Sequence, residues 1–378
     1  MEDPNPSSWP VPSDIVSRMT KKILLLCGGR SDEHEISLLS AKCILDALDR
    51  TLFTPIVVGI SRQGVWHLEE EKSFYRGELR ADKIRLNENA PSASIAPFLS
   101  PSGRGQLQAQ GKTLAFESVF PILHGPFGED GTLQGLLDLI GIPYVGSTCG
   151  SSWICMDKVL TKMLCKEGNV RVADYVWLSK IEELNEKGRA IRALGNTVFV
   201  KPSRLGSSVG VAKVTSEEQL APAVENALKY DNKVLIERAI VGRELECAVL
   251  GLNRSAKASL PGEIIVSQEI GWYSYEAKYI LAEAAKTLAP APLDDTTTKR
   301  IQEFCLKVFQ LLECNGMARV DLFLEHGTDK LFLNEANTIP GFTPISMYPK
   351  MWQASGLAYS DLITELIRLG YQRLGKPF

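Results

Sequence analysis

Arg319, Asp321, Glu335 and Asn337 are the densest set of chemically capable side chains in this 378-residue sequence. Arg319 and Asp321 stand two apart within the apolar stretch 317–324, Glu335 and Asn337 two apart after a second apolar run, and His326, Gly327, Thr328 and Asp329 read as the turn between. Side chains alternate faces along a strand, so each pair shares one face. Two carboxylates and an amide oxygen suit a hard cation such as Mg²⁺, which takes few protein oxygens and keeps positions for water and phosphate. The guanidinium would then face negative charge developing on a substrate. A solvated charged face is the alternative; the flanking apolar runs argue for burial.

A second set surrounds Gly206. Ser203, Ser207, Ser208 and Gly210 offer hydroxyls and backbone N–H groups in a loop whose small residues let it approach phosphate oxygens. Apolar runs at 197–201 and 209–214 flank it, so it is the tip of a hairpin: a flap over a nucleotide, or a merely flexible tip. Lys201, ending the first run, is a costly charge there unless an anion meets it. Two other glycine signals fail. Residues 105–113 approach a P-loop, but Gln106 stands where that motif needs glycine, and no strand precedes it. Gly28 and Gly29 follow a strand and open a helix without G-x-G-x-x-G spacing, leaving a helix start that can hold a carboxylate or phosphate. His124 ends an apolar run before Gly125, Gly128 and Gly131, at the strand end where parallel sheets usually bind ligands; a structural hydrogen-bonder is the alternative. Trp272, Tyr273, Tyr275 and Tyr279 with Lys278 form an aromatic loop that fits a water-excluding lid as well as surface packing.

The elements that must position these groups follow from periodicity. A strand at 22–27, a glycine turn and a helix with Ile36, Leu39, Ile44 and Leu48 on one face are followed by β-rich runs at 55–60 and 119–123. A helix at 132–140 is closed by Gly141. This alternation predicts a parallel α/β sheet, with 61–116 an insertion of small β elements. A second unit reads as a helix at 151–167, a strand at 175–178, a helix at 181–193, the hairpin, and a helix begun by a Thr215–Glu218 capping box. A third carries strands at 234–238, 244–250, 317–325 and 330–335 with helices at 294–313 and 358–373. No repeat is evident.

With 44% hydrophobic and 23% charged residues the chain can bury two or three cores. A net charge of −3 and a pI near 6.0 give no electrostatic footprint for nucleic acid or an anionic membrane. The eight cysteines lack any C-x-x-C pair and read as reduced thiols of a cytoplasmic protein. Apolar runs are too short for a bilayer, and the start of the chain lacks signal-peptide character. Residues 1–20, rich in Pro, Ser and acidic residues, read as a flexible tail.

Taken in order, Gly28-Gly29-Arg30-Ser31-Asp32-Glu33, His124-Gly125, Gly128-Glu129-Asp130-Gly131, Met156-Asp157-Lys158, residues 201–210, residues 275–279 and residues 334–341 resemble the D-alanine:D-alanine ligases of the ATP-grasp superfamily. Leu205 departs from the acidic residue many members carry there. The resemblance implies a three-domain ATP-grasp fold with an N-terminal parallel α/β domain at 21–146, a central domain at 147–237 and a C-terminal domain at 238–378. ATP would lie between the last two. Lys158, Lys201, Ser208 and Lys278 would meet its phosphates, Glu237 with the backbone of Ala239 and Ile240 its adenine, and Glu244 its ribose. Asp321, Glu335 and Asn337 would ligate two Mg²⁺ or Mn²⁺ ions. One D-alanine carboxylate would be phosphorylated and then attacked by the amine of a second, to supply a peptidoglycan precursor. Glu33 would hold the first ammonium, with Ser207 and Tyr279 linked to it; Arg319 and the Gly341 N–H would stabilise the oxyanion; His124, Ser346 and Met347 would line the substrate sites. A homodimer is implied as well. The rival readings are a D-alanine:D-lactate ligase, against which Tyr279 counts, and a non-catalytic nucleotide-binding module, against which the intact metal-ligand set counts.

Overall fold

A computed structural model describes residues 20–266 and 285–378 of the chain. The tail expected at residues 1–20 (but for Thr20) and the lid residues Lys278 and Tyr279 lie outside the described residues.

The first sheet runs in the order β3 (Trp66–Glu69), β2 (Phe53–Ile60), β1 (Lys21–Gly28), β9 (Ser118–Pro121), with β2 and β9 both parallel to β1. The unbroken apolar run of β1 is what a strand covered on both faces requires. Leu24 and Leu26 point into one core with Leu133, Leu137 and Ile140 of α2 (Thr132–Ile140). Ile23, Leu25 and Cys27 point into another with Leu38, Ala41 and Ile44 of α1 (His34–Ala47). Each such buried leucine contributes roughly 1.5–3 kcal/mol relative to exposure. Between β3 and β9 the predicted insertion forms β4 (Tyr75–Arg76) with β5 (Arg85–Leu86), and a three-stranded sheet of β6 (Ala93–Ile95), β7 (Gly105–Ala109) and β8 (Lys112–Phe116). The near-P-loop is the β7–β8 hairpin turn, with left-handed Gln110 and Gly111.

Gly28 turns the chain from β1 toward α1 at φ +86°, and a Cβ there would stand 2.4 Å from the Ile60 carbonyl oxygen. Gly28→Ala is therefore expected to cost about 1–3 kcal/mol of stability, read as a lower urea midpoint; an unchanged midpoint would mean the turn relaxes freely.

The second sheet, β10 (Tyr175–Leu178), β13 (Val234–Arg238), β11 (Val198–Pro202), β12 (Ala212–Val214), is antiparallel and packs on α5 (Glu183–Arg192) and α6 (Glu217–Leu228). The strand expected at 209–214 is thus only three residues long, because the flap consumes the rest. The expected helix at 151–167 is two helices, α3 (Cys149–Met156) and α4 (Lys158–Glu167), broken where Asp157 adopts an extended ψ of 99° to cap α4. The expected capping box is shifted too. Ser216 is the N-cap of α6, while Thr215 turns to Gln219, whose side-chain oxygen accepts its N–H at 2.9 Å.

The third sheet runs β17 (Ala285–Leu288), β16 (Gly262–Val266), β14 (Gly242–Leu252), β18 (Asn315–Glu325), β19 (Leu331–Asn337), with β15 (Lys257–Ala258) beside β14. α7 (Asp295–Leu311) covers one face through Ile301, Cys305, Val308 and Phe309. On the other, Ala248, Leu250 and Met317 join α8 (Met347–Ala354) and α9 (Tyr359–Arg373) in the core shared with α1. Among the described residues no helix is long and apolar enough to cross a membrane.

Candidate active site

The β18–β19 hairpin forms as its alternation predicts, with Arg319 opposite Asn337 and Asp321 opposite Glu335. A register shift follows at once: Leu322 pairs with Leu333, so Asn334 is the extra residue of a bulge. That shift lets neighbouring side chains both reach the cleft between the second and third sheets. Asn334 Oδ1 accepts a hydrogen bond from Lys201 Nζ at 3.3 Å, and Glu335 Oε2 lies 3.1 Å from Lys158 Nζ.

The guanidinium of Arg319 donates twice to Asp321, both at 2.7 Å, and lies 3.2 Å from Glu246 of β14. Burial alone would lower its pKa, but Asp321 and Glu246 carry it well above the ordinary arginine value, so the cation is fixed. Lys201 did not need a ligand to meet its charge: Glu237, across the second sheet, pairs with it and also with Lys162 Nζ of α4 at 2.8 Å. Burial pushes the Glu237 carboxyl up, yet the two ammonium groups outweigh it and hold its pKa at about 2.

Lys158 is placed by the break between α3 and α4. Its Nζ donates to the Leu205 carbonyl of the flap at 2.7 Å. Asp157, with no solvent exposure, accepts from the N–H groups of Val159 and Leu160 at 3.0 and 3.2 Å, from Ser203 Oγ at 2.8 Å and from Lys233 Nζ at 2.6 Å. Burial works against its charge, but these donors hold its pKa below the usual aspartate range. One carboxylate thus joins the start of α4 to the base of the flap. Asp157→Ala is expected to cost about 2–4 kcal/mol from the lost cap and the stranded partners, read as a lower urea midpoint, and Asp157→Asn, which keeps an acceptor, to cost less. Equal midpoints in parent and both variants would show that the break between α3 and α4 holds without it.

At the flap tip Ser207 and Ser208 adopt left-handed φ of 50° and 61°, uncommon for residues with a Cβ and a frequent mark of ligand-gripping loops. Ser207 Oγ donates to Glu33, at the start of α1, closing the flap onto the first unit. His124 joins three segments: Nδ1 lies 3.0 Å from the Ile339 carbonyl and 3.5 Å from Glu129, and Nε2 is 3.4 Å from Ser40 Oγ. Burial lowers the pKa of its imidazole, but contact with Glu129 more than offsets this and raises it. Gly341 lies against Ser346; a Cβ there would come within 2.7 Å of Ser346 Oγ.

Two cavities result. Glu33, His124, Arg319, Asn337, Gly341, Ser346 and Met347 are on the wall of the first. Lys201, Ser208, Glu237, Ile240 and Glu244 are on that of the second. Lys158, Leu205, Gly206, Ser207 and Glu335 border both, so the cavities meet beneath the flap. Two expected residues are off these walls: Asp321 sits behind Arg319, and the Ala239 N–H donates to the Thr197 carbonyl at 3.1 Å. Sequence reasoning missed Glu246, Lys162 and Asn334. The first two had a signal: Glu244 and Glu246 share a strand face, and Lys158 and Lys162 share a helix face at i, i+4. Among the described residues no group of three or more His, Cys, Asp or Glu side chains is arranged to hold a metal; Asp321, Glu335 and Asn337 are two carboxylates and an amide, a donor set of hard oxygens that fits Mg²⁺ or Mn²⁺.

A lysine-lined cleft between two antiparallel sheets, roofed by a glycine-serine flap and set beside a parallel α/β unit, has the ATP-grasp fold. Sequence models of the D-ala D-ala ligase N-terminus and C-terminus match residues 22–147 and 164–368. A D-alanine--D-alanine ligase of Thermoanaerobacter sp. (strain X514) is 46% identical over 358 residues, 93% of this chain and 97% of that protein. The D-alanine--D-alanine ligase A of Escherichia coli (strain K12) is 42% identical over 353 residues, covering 93% and 96%. Among solved structures, the D-alanine-D-alanine ligase from Coxiella burnetii superposes with a TM-score of 0.79 at 38% identity, covering 94% of this chain and 95% of that one. VanG D-Ala:D-Ser ligase from Enterococcus faecalis gives 0.80 at 34%, covering 93% and 99%. The chain belongs to the D-alanine--D-alanine ligase family.

Proposed function

We propose that the protein joins two D-alanines at the expense of ATP, making D-alanyl-D-alanine for peptidoglycan synthesis. The observation that carries this is the pair of cavities meeting at Lys158, the flap and Glu335, since a phosphoryl group must pass from a nucleotide to a carboxylate without meeting water. In this reading ATP occupies the second cavity, with adenine and ribose toward Glu237, Ile240 and Glu244 and phosphates toward Lys158, Lys201 and Ser208. Asp321, Glu335 and Asn337 would hold divalent ions, which would supply positive charge to offset that of the phosphates. Glu33 holds the ammonium of the first D-alanine and Ser207 holds Glu33. The carboxylate takes the γ-phosphoryl group, the amine of the second D-alanine attacks the acyl carbon, and Arg319 with the Gly341 N–H stabilises the oxyanion. His124 fixes the 339–342 segment, and Ser346 and Met347 shape the second amino-acid site. Lys278 and Tyr279 belong to the lid of this scheme. The division into 21–146, 147–237 and 238–378 goes with it, as do a homodimer and a cytoplasmic setting; the eight free cysteines support the latter, and sedimentation velocity tests the former.

The testing experiment follows phosphate release and product mass with Mg²⁺-ATP and D-alanine, L-alanine, D-serine or D-lactate as second substrate. Dipeptide from D-alanine, far faster than the other products, is expected. Preferential D-serine or D-lactate coupling would reassign the second site, and ATP turnover without any ligation product would overturn the reading.

A further inference from the structure

Cys155, in the last turn of α3, and Cys314, just ahead of β18, bring their Sγ atoms to 3.7 Å. Both are buried, at 5% and 0% exposure, yet Cys155 lies on the wall of the first cavity. The backbone around them is fixed. Ser151 Oγ donates to the Leu312 carbonyl at 2.8 Å, the Asn315 N–H donates to Ser147 Oγ at 3.1 Å, and Ser147 Oγ donates to the Asn315 carbonyl at 3.2 Å. A disulfide needs its sulfurs about 2.05 Å apart, so closing the gap takes roughly 1.6 Å of combined side-chain movement between segments already docked. The Cys155 thiol, hydrogen-bonded to Cys314, holds the latter below the ordinary thiol range against the effect of burial, with the hydroxyls of Ser151 and Ser147 adding to this, while the same bond and burial raise Cys155 itself, so the two sulfurs share one proton. No step of the ligation uses either sulfur.

We propose that Cys155 and Cys314 form a reversible disulfide, reached by small oxidants through the substrate cavity, that ties α3 to the start of β18 and slows turnover. With a peroxide as oxidant, the Cys155 thiol passes its proton to the neighbouring Cys314 sulfur as its own sulfur attacks one oxygen; the O–O bond breaks, hydroxide leaves and is protonated to water, and a Cys155 sulfenic acid remains. The Cys314 sulfur then attacks that sulfur, its proton goes to the departing hydroxyl as the S–O bond breaks, and a second water leaves. Two thiols are oxidised by two electrons and the peroxide is reduced to two waters. The link acts on turnover because Cys155 is on the wall of the first cavity and α3 runs directly into Asp157 and Lys158, so drawing the Cys155 sulfur toward Cys314 alters that wall three residues ahead of Lys158. Cys247 and Cys305 lie fully buried in the core under α7 and border neither cavity, so they stay reduced.

The test exposes the full chain, freed of reductant, to hydrogen peroxide at neutral pH and maps peptides without reduction. Expected are a peptide pair linked through Cys155 and Cys314, an intact mass lower by two hydrogens, turnover lost in proportion to the linked fraction, and recovery with dithiothreitol. In Cys314→Ala the reaction stops at the Cys155 sulfenic acid, which dimedone captures, and in Cys155→Ala neither product forms. The mapped link reads the chemistry without relying on the assigned reaction. Absence of the link under peroxide that oxidises the less buried Cys43 and Cys149, or linked protein with undiminished turnover, overturns the proposal.

Discussion

Arg319→Met is expected to lower kcat by about a hundredfold to a thousandfold, the usual loss when one oxyanion donor is removed. In the proposed role the side chain is held in advance: two hydrogen bonds to Asp321 and the Glu246 carboxylate fix its plane on the wall of the first cavity. The same contacts complicate a bare deletion, because Met leaves two buried carboxylates with one cation fewer and costs stability as well. Arg319→Lys separates the effects. It keeps a positive charge beside Asp321 and Glu246 but not the forked donor geometry, so its denaturant midpoint should stay nearer the parent's while its kcat falls almost as far as that of Met. Steady-state kinetics and urea unfolding on both variants check this. A folded Arg319→Lys with kcat within a few-fold of the parent would remove Arg319 from the chemical step.

The second large effect is expected at Glu237. Its carboxylate is 4% exposed and neutralises both Lys162 and Lys201, and breaking a buried pair by removing one partner costs about 3–5 kcal/mol. Glu237→Gln should lose about that much at neutral pH. The sign of the pH dependence follows from its depressed pKa: the stabilisation is present above the ordinary glutamate range and is lost as pH falls toward about 2. The stability gap between parent and variant should therefore be widest near pH 7 and shrink below pH 4. Urea melts from pH 7 to pH 3 measure it, and a constant gap would mean that the lysines find other partners. ATP should also raise the melting temperature of Glu237→Gln by more than it raises the parent's, since phosphate replaces the missing anion beside Lys201.

These two sites differ in how far they could be read from sequence. The hairpin face of Arg319, Asp321, Glu335 and Asn337 was legible because period-two alternation is a local rule. The bulge at Asn334 was not, since it depends on how β19 registers against β18. Lys201 was rightly judged too costly to stand alone, but its counterion proved to be Glu237, which only the pairing of β11 with β13 brings near. The helix break at Asp157 was hidden for a related reason: its apolar neighbours continue the helical period, and the donors that hold its carboxylate at the break include Ser203 and Lys233, more than forty positions later.

The contacts that shape the first cavity also connect distant parts of the chain. Ser207 reaches Glu33 across 174 positions, His124 reaches Ile339 across 215, and the Phe342 N–H reaches Ser40 across 302. Contacts of such separation close large loops and form late, once the segments that carry them are already in place. Catalytic competence in this chain therefore reports the completed assembly of its three units. Activity should vanish at lower urea than the main change in tryptophan fluorescence, and a nick anywhere between Ser40 and Phe342 should be tolerated only while both pieces stay associated.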